Sequence, residues 1–183
     1  KTLFLKFNTG PSGHGSAAAV GEALALKRAG APDVRVFVLE GEGGLTPGAT
    51  HEVLSSAWGL ALDNLHYLVD WNDFGIDDHA VSSAVFGGPE DWFGAHGWRA
   101  FGAEHGDDWR EVTQTLRTMV DSANPQRSPS VAWVKTRKGR EYLKYDNASH
   151  GAPHALDCDL FWETKRPFAE RYGVSFRNFG ACA

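Results

Sequence analysis

The feature that most limits what this chain can become is an alternation of short apolar runs with longer segments of helical spacing. Leu3–Phe7 reads as a short strand, and the run 34–39, Val-Arg-Val-Phe-Val-Leu, as a buried one. Between them Ser16 is placed to cap an alanine-rich helix that ends near Gly30. Residues 48–61 carry Val53, Leu54, Ala57 and Trp58 on one helical face, and 65–69 form the next strand. Residues 98–101 are another strand. Asp108 caps a helix with Val112, Leu116 and Met119 at helical spacing, and 130–136 are the last strand. Pro167 keeps any helix in the tail short. Strand and helix in alternation predict an α/β fold, a parallel sheet with helices on both faces, formed as a single domain over 1–183. Ligands of such sheets bind at the carboxyl ends of the strands. That rule gathers Glu42, Asn72 and His150, each just after a strand, into one region.

Composition narrows the partners. A formal charge of −5 argues against nucleic acid or an anionic membrane as the main partner, so a bound anion needs a local site. No apolar run is long enough to span a bilayer and no signal peptide is visible, which makes the cytoplasm the expected location. Cys158 and Cys182 form neither a metal cluster nor a disulfide framework. The chain opens at Lys1 without an initiator Met, which suggests a fragment, a processed product or one part of a larger enzyme.

Glu42 offers carboxylate oxygens and Asn72 an amide oxygen, a hard-oxygen set that suits Mg²⁺ or Ca²⁺ rather than zinc. The glycines around Glu42, in Gly41-Glu42-Gly43-Gly44, let backbone N–H groups approach phosphate oxygens. The helix after Gly48 turns its positive end toward the same place. As a bare strand-to-helix turn the glycine cluster would mean nothing; with the metal donors it describes a metal–diphosphate site. No P-loop is present, and the glycines of residues 9–16 do not follow the dinucleotide order.

Thr9-Gly10-Pro11-Ser12-Gly13-His14-Gly15 resembles the T-G-P-L-G-Q-G loop in the diphosphate-binding domain of transketolase-like thiamine diphosphate enzymes, and the motifs after it keep that family's order. Gly41-Glu42-Gly43 followed by Asp70-Trp71-Asn72 resembles its G-D-G and D-x-N metal motif. Asn64-Leu65, Gly75-Ile76-Asp77, His96-Gly97-Trp98, Thr136-Arg137-Lys138-Gly139 and His150-Gly151-Ala152-Pro153 continue the likeness in order over about residues 8–157, and the tail beyond resembles nothing recognised.

The resemblance implies a thiamine diphosphate-binding fold and a set of roles. Glu42 and Asn72 are implied metal ligands, with the Phe74 carbonyl. Gly10, Ser12, His14, Gly41, Gly43, Asn72, Ile76 and His150 are implied to meet the cofactor, and His150 also to line the active site as its catalytic histidine. For His14, packing within its own loop is an equal alternative. Arg137, Lys138 and Arg140 read as a solvated basic loop, and Trp58, Trp71 and Trp92 as core or interface rings. His51, His66, His79, His96, His105 and His154 read as structural or exposed. Glu52 aligns with a glutamate at the family's subunit interface, and a dimer is implied. Glu42 stands where aspartate is usual, and Pro47 replaces a glutamate of the interface network. The family's activity is transfer of a two-carbon ketol unit between sugar phosphates. It needs a pyrimidine-binding domain or subunit, which this chain lacks, so the chain alone is expected to be inactive. The alternatives are a first component of a 2-oxoacid dehydrogenase or related decarboxylase, and a non-catalytic dimerisation or regulatory fragment.

Overall fold

A computed structural model describes residues 5–6, 8–75, 79–147 and 153–176. These fall into two compact units. One takes the described residues up to Asp73 and from Ala80 to Thr136; the other takes those of Phe74–His79 and from Arg137 onward.

The first unit holds a four-stranded sheet in the order β1-β2-β4-β3, with β1 Val36–Gly41, β2 Leu65–Trp71, β3 Arg99–Ala103 and β4 Ser130–Lys135. Every pairing is parallel, as the alternation predicts. The connecting helices are α1 His14–Arg28, α2 Gly48–Gly59, α3 Pro89–Gly94 and α4 Trp109–Asp121. Leu65, Tyr67 and Val69 of β2 share one buried cluster with Val131 and Trp133 of β4, Ala19 and Ala23 of α1, Leu54 and Ala57 of α2, and Phe93 of α3. Alternate strand residues Ala103 and Ala132, with Met119 of α4, are buried outside that cluster, on the opposite face. Helices therefore cover both faces. Asn64, only 3% exposed, sends its amide N–H groups to the carbonyls of Ala23 at 3.1 Å and Val34 at 3.3 Å, tying α1 and the entry to β1 to the turn before β2.

Three local expectations shift. Ser16 does not cap α1: the helix begins at His14, Gly13 is its N-cap with φ +81°, and Ser16 is buried inside it. A left-handed N-cap is open to glycine at no steric cost, which moves the start upstream. The β1 run begins and ends two residues later than its apolar pattern suggests and is not buried on both faces. It is an edge strand, with Phe37 52% and Leu39 82% exposed. Of the strand expected at residues 3–7, only 5 and 6 lie among the described residues, and they are not in a strand. Asp108 caps α4 as expected, accepting from the Arg110 and Glu111 backbones.

The second unit is held by rings and short turns. Tyr142, Tyr145 and His154 pack with centroids 4.3–5.9 Å apart, and the His154 N–H donates to the Tyr142 hydroxyl at 3.0 Å. Two short helices follow, α5 Asp159–Glu163 and α6 Arg166–Tyr172, with Pro167 in the first turn of α6. The Lys165 ammonium lies 3.9 Å from the centroid of Phe161.

Candidate functional site

The parallel register puts the strand ends side by side, Gly41 of β1 opposite Asp70 of β2, and Trp71 of β2 opposite Lys135 of β4. Glu42 follows at once, as the first residue of a single 3₁₀ turn, Glu42–Leu45. Its carboxylate is 2% exposed. One oxygen, Oε2, accepts the Asn72 backbone N–H at 3.0 Å, which joins the two sequence-expected ligands directly. The other, Oε1, is buried with no hydrogen-bond partner among the described residues.

A cavity of about 190 Å³ opens here. Glu42, Asn72, Asp73, Trp71, Trp92, Lys135 and Thr136 line it, with Ser82 and Val85 from the far wall. Asp73 holds φ +66°, rare for a non-glycine residue. Its carboxylate accepts the Ser82 backbone N–H at 2.7 Å and the Ser82 hydroxyl at 2.8 Å, and its carbonyl accepts from Val81 at 2.9 Å. Those bonds hold the strained turn after Asn72 in place.

Burial pushes the Glu42 carboxyl above the usual carboxylate range, and the negative Asp70 adds to the effect. Backbone N–H groups of Asn72, Glu42 itself and Asp73 pull the other way. A buried carboxylate with an unmatched oxygen is costly unless a cation answers it. A cavity lined by Glu42 and Asn72 together fits a hard divalent ion with mixed carboxylate and carbonyl donors. No group of three His, Cys, Asp or Glu side chains is placed to hold a metal among the described residues, so any ion here would take much of its coordination from other oxygens.

The Thr9–Gly15 loop reaches the same turn through Gly13. Its N–H donates to Glu40 Oε2 at 3.2 Å, and a Cβ at Gly13 would lie 2.7 Å from the Gly44 carbonyl oxygen. Thr50 of α2 closes the triangle by donating its hydroxyl to that carbonyl at 3.1 Å. Gly10, Ser12 and His14 are exposed on this loop, and Gly41 and Gly43 are half-buried in the adjoining turn. Pro47 is the N-cap of α2 and lends it no side-chain acceptor, and Glu52 is exposed on the same helix.

Phe74 belongs to the second unit, where its carbonyl accepts from the Lys138 ammonium at 3.1 Å and that of Gly75 does so at 2.6 Å. Lys138 is therefore committed to backbone carbonyls rather than solvated with its loop; Arg137 pairs with Asp146 at 2.8 Å. Ile76 and His150 lie outside the described residues. Sequence reasoning passed over Glu40, Asp73 and Lys135. It took Trp71 and Trp92 for core or interface rings; both do pack against the core cluster, and they also line the cavity. The position of Trp71 at a strand's carboxyl end, next to Asn72, was the available signal.

No helix among the described residues is long and apolar enough to cross a membrane. Residues 2–172 match the model of the transketolase thiamine diphosphate binding domain. A transketolase of Halalkalibacterium halodurans is 32% identical over 182 residues, covering 92% of this chain and 26% of that protein. One of the subunits of the apulose-4-phosphate transketolase of Actinobacillus succinogenes is 34% identical over 143 residues, 76% of this chain and 48% of that polypeptide. Among solved structures, the transketolase of Campylobacter jejuni superposes with a TM-score of 0.75 at 28% identity, over 87% of this chain and 25% of that one. The chain thus spans about a quarter of these transketolases and about half of the apulose-4-phosphate transketolase polypeptide. By motif, sheet and match, the chain belongs to the transketolase family of thiamine diphosphate binding domains.

Proposed function

We propose that this chain holds the diphosphate of thiamine diphosphate through a divalent ion, Mg²⁺ or Ca²⁺, as one half of a transketolase. The observation that carries the reading is the buried Glu42 carboxylate, one oxygen fixed by the Asn72 backbone and the other unmatched. Glu42 Oε1 and the Asn72 amide oxygen would ligate the ion, and the longer Glu42 side chain, in place of aspartate, reaches it from the 3₁₀ turn. By its motif alone the Phe74 carbonyl is a third expected donor, although in this structure it accepts from Lys138. Gly41 and Gly43 would offer N–H groups to the diphosphate, with Gly10, Ser12 and His14 along the facing loop. Ile76 and His150 complete the set on the strength of their motifs.

When bound, thiamine diphosphate supplies a thiazolium that stabilises a carbanion, so the protein's part is to bind, orient and exclude water. Trp71 and Trp92 give the cavity an apolar wall that strengthens each charge–dipole contact within it. The proposed reaction is ketol transfer between sugar phosphates, with His150 in the active site. The pyrimidine end of the cofactor would be completed by a separate domain or subunit. Relatives named as one subunit of an apulose-4-phosphate transketolase support a division of that kind. A dimer and a cytoplasmic location follow the same reading.

Calorimetric titration of thiamine diphosphate with Mg²⁺ into wild type and Asn72→Ala tests it. Wild type is expected to bind and the variant to lose about tenfold or more in affinity. Equal binding by both, or binding by neither, would favour a non-catalytic domain. Turnover of a ketose donor by the isolated chain would refute the need for a second half, and turnover of pyruvate instead by a reconstituted enzyme would favour the 2-oxoacid class.

A further inference from the structure

Outside the cavity, three polar side chains converge on one spot. His51 and Ser55 sit one turn apart on α2, and His96 lies in the turn between α3 and β3. His51 Nδ1 is 3.3 Å from His96 Nε2, and His96 Nδ1 is 2.9 Å from Ser55 Oγ. We infer that His51 and His96 form a two-imidazole site for a borderline divalent transition metal such as Zn²⁺ or Cu²⁺, distinct in chemistry from the oxygen site at Glu42.

Spacing is the first argument. Two imidazole nitrogens bound tetrahedrally at about 2.0–2.1 Å from zinc stand about 3.3 Å apart. That is the separation the two rings already keep, and it is long for a bond donated by an N–H. Orientation is the second argument. If His96 Nδ1–H donates to Ser55 Oγ, its Nε2 lone pair is left facing His51, the arrangement by which a neighbouring acceptor fixes a ligating histidine. With that tautomer, the proton between the rings of the metal-free protein sits on His51 Nδ1. On metal binding it moves to His51 Nε2, so both facing nitrogens act as ligands and no net proton is released from a neutral pair.

Rigidity is the third. Trp98 Nε1–H donates to the Leu54 carbonyl of α2 at 2.9 Å, and the His96 and Trp98 N–H groups both donate to the Phe93 carbonyl at 3.1 Å. Gly97, at φ +74°, lets the turn pass directly against the Trp58 ring of α2, where a Cβ would collide. The two histidines are therefore held on elements bolted to each other. With two protein ligands, water fills the remaining positions, and imidazole donors prefer Zn²⁺ or Cu²⁺ over Mg²⁺. The ring of Trp92, 5.5 Å from His51, also lines the Glu42 cavity and reports optically on the site.

The test titrates Zn²⁺ into the purified chain at pH 7.5 with millimolar Mg²⁺ present, by calorimetry, and Cu²⁺ by quenching of tryptophan fluorescence. One Zn²⁺ per chain is expected. His51→Gln and His96→Gln should each weaken it about tenfold or more, and Ser55→Ala about tenfold. Glu42→Gln should leave it unchanged, which separates this site from the proposed cofactor site. Imidazole ¹⁵N shifts should identify His51 Nδ1 and His96 Nε2 as the metallated atoms, a readout that stands even if one variant folds poorly. Absence of saturable Zn²⁺ binding, affinity untouched by either histidine substitution, or metallation of other nitrogens would overturn the inference and leave a hydrogen-bonded pair only.

Discussion

His66 offers a sharp quantitative test of how the sheet is built. It is 5% exposed, its ring stacks on Phe37 at 5.2 Å, and its Nδ1 lies 2.6 Å from Ser130 Oγ, bridging β2 to β4. Nε2 is buried with no partner among the described residues, so a second proton would have nothing to meet. Burial, then the positive Arg35 and Arg99, lowers the pKa to about 4 from an ordinary 6.5. The sign follows: the folded state disfavours the charged ring, the unfolded chain does not, and stability is full above pH 6.5 and lost as pH falls toward 4. Linkage gives a loss of about 1.4 kcal/mol from this group between pH 7.5 and 5.5, where few carboxylates titrate. With a urea slope of about 2 kcal/mol per molar, that moves the unfolding midpoint down by about 0.7 M. His66→Gln keeps a polar contact for Ser130 and cannot titrate, so its midpoint should move less by that amount. Equal pH dependence in the two proteins, or an NMR titration placing His66 near 6.5, would refute the reasoning.

Two further outcomes concern the site. Burial raises the Glu42 pKa, so its ionised form weighs against the fold once pH rises through the folded value. Glu42→Gln should therefore raise the Tm of the metal-free chain at pH 7.5, and it should erase the rise in Tm that wild type shows on adding Mg²⁺ and thiamine diphosphate. Gly13→Ala forces a side chain into a left-handed position and against the Gly44 carbonyl. It should cost about 1–2 kcal/mol or more, seen as a fall of several degrees in Tm, together with weaker cofactor binding; an unchanged Tm would contradict the packing described.

Much of the frame was legible because apolar runs and helical spacing are local signals. β2, β4, α2 and α4 fall within two residues of where their patterns place them. Glu42 and Asn72 were legible as a pair because strand ends in a parallel sheet must lie together. What escaped was set by tertiary contact. α3 is only six residues long, too short for its periodicity to register. The exposure of Phe37 and Leu39 depends on β1 being an edge strand, which its composition does not reveal. The meeting of His51 with His96, 45 residues away, depends on how α2 docks against the α3–β3 turn. Glu40, one residue past the expected strand, reaches back 27 residues to the Gly13 N–H.

The most direct measurement is a crystal structure of the chain grown with Mn²⁺ and thiamine diphosphate, with the ion located by its anomalous signal. An ion at about 2.0–2.2 Å from Glu42 Oε1 and the Asn72 amide oxygen, touching the diphosphate, is the predicted result. An ion bound elsewhere, or a diphosphate held with Glu42 Oε1 still unmatched, would contradict the account.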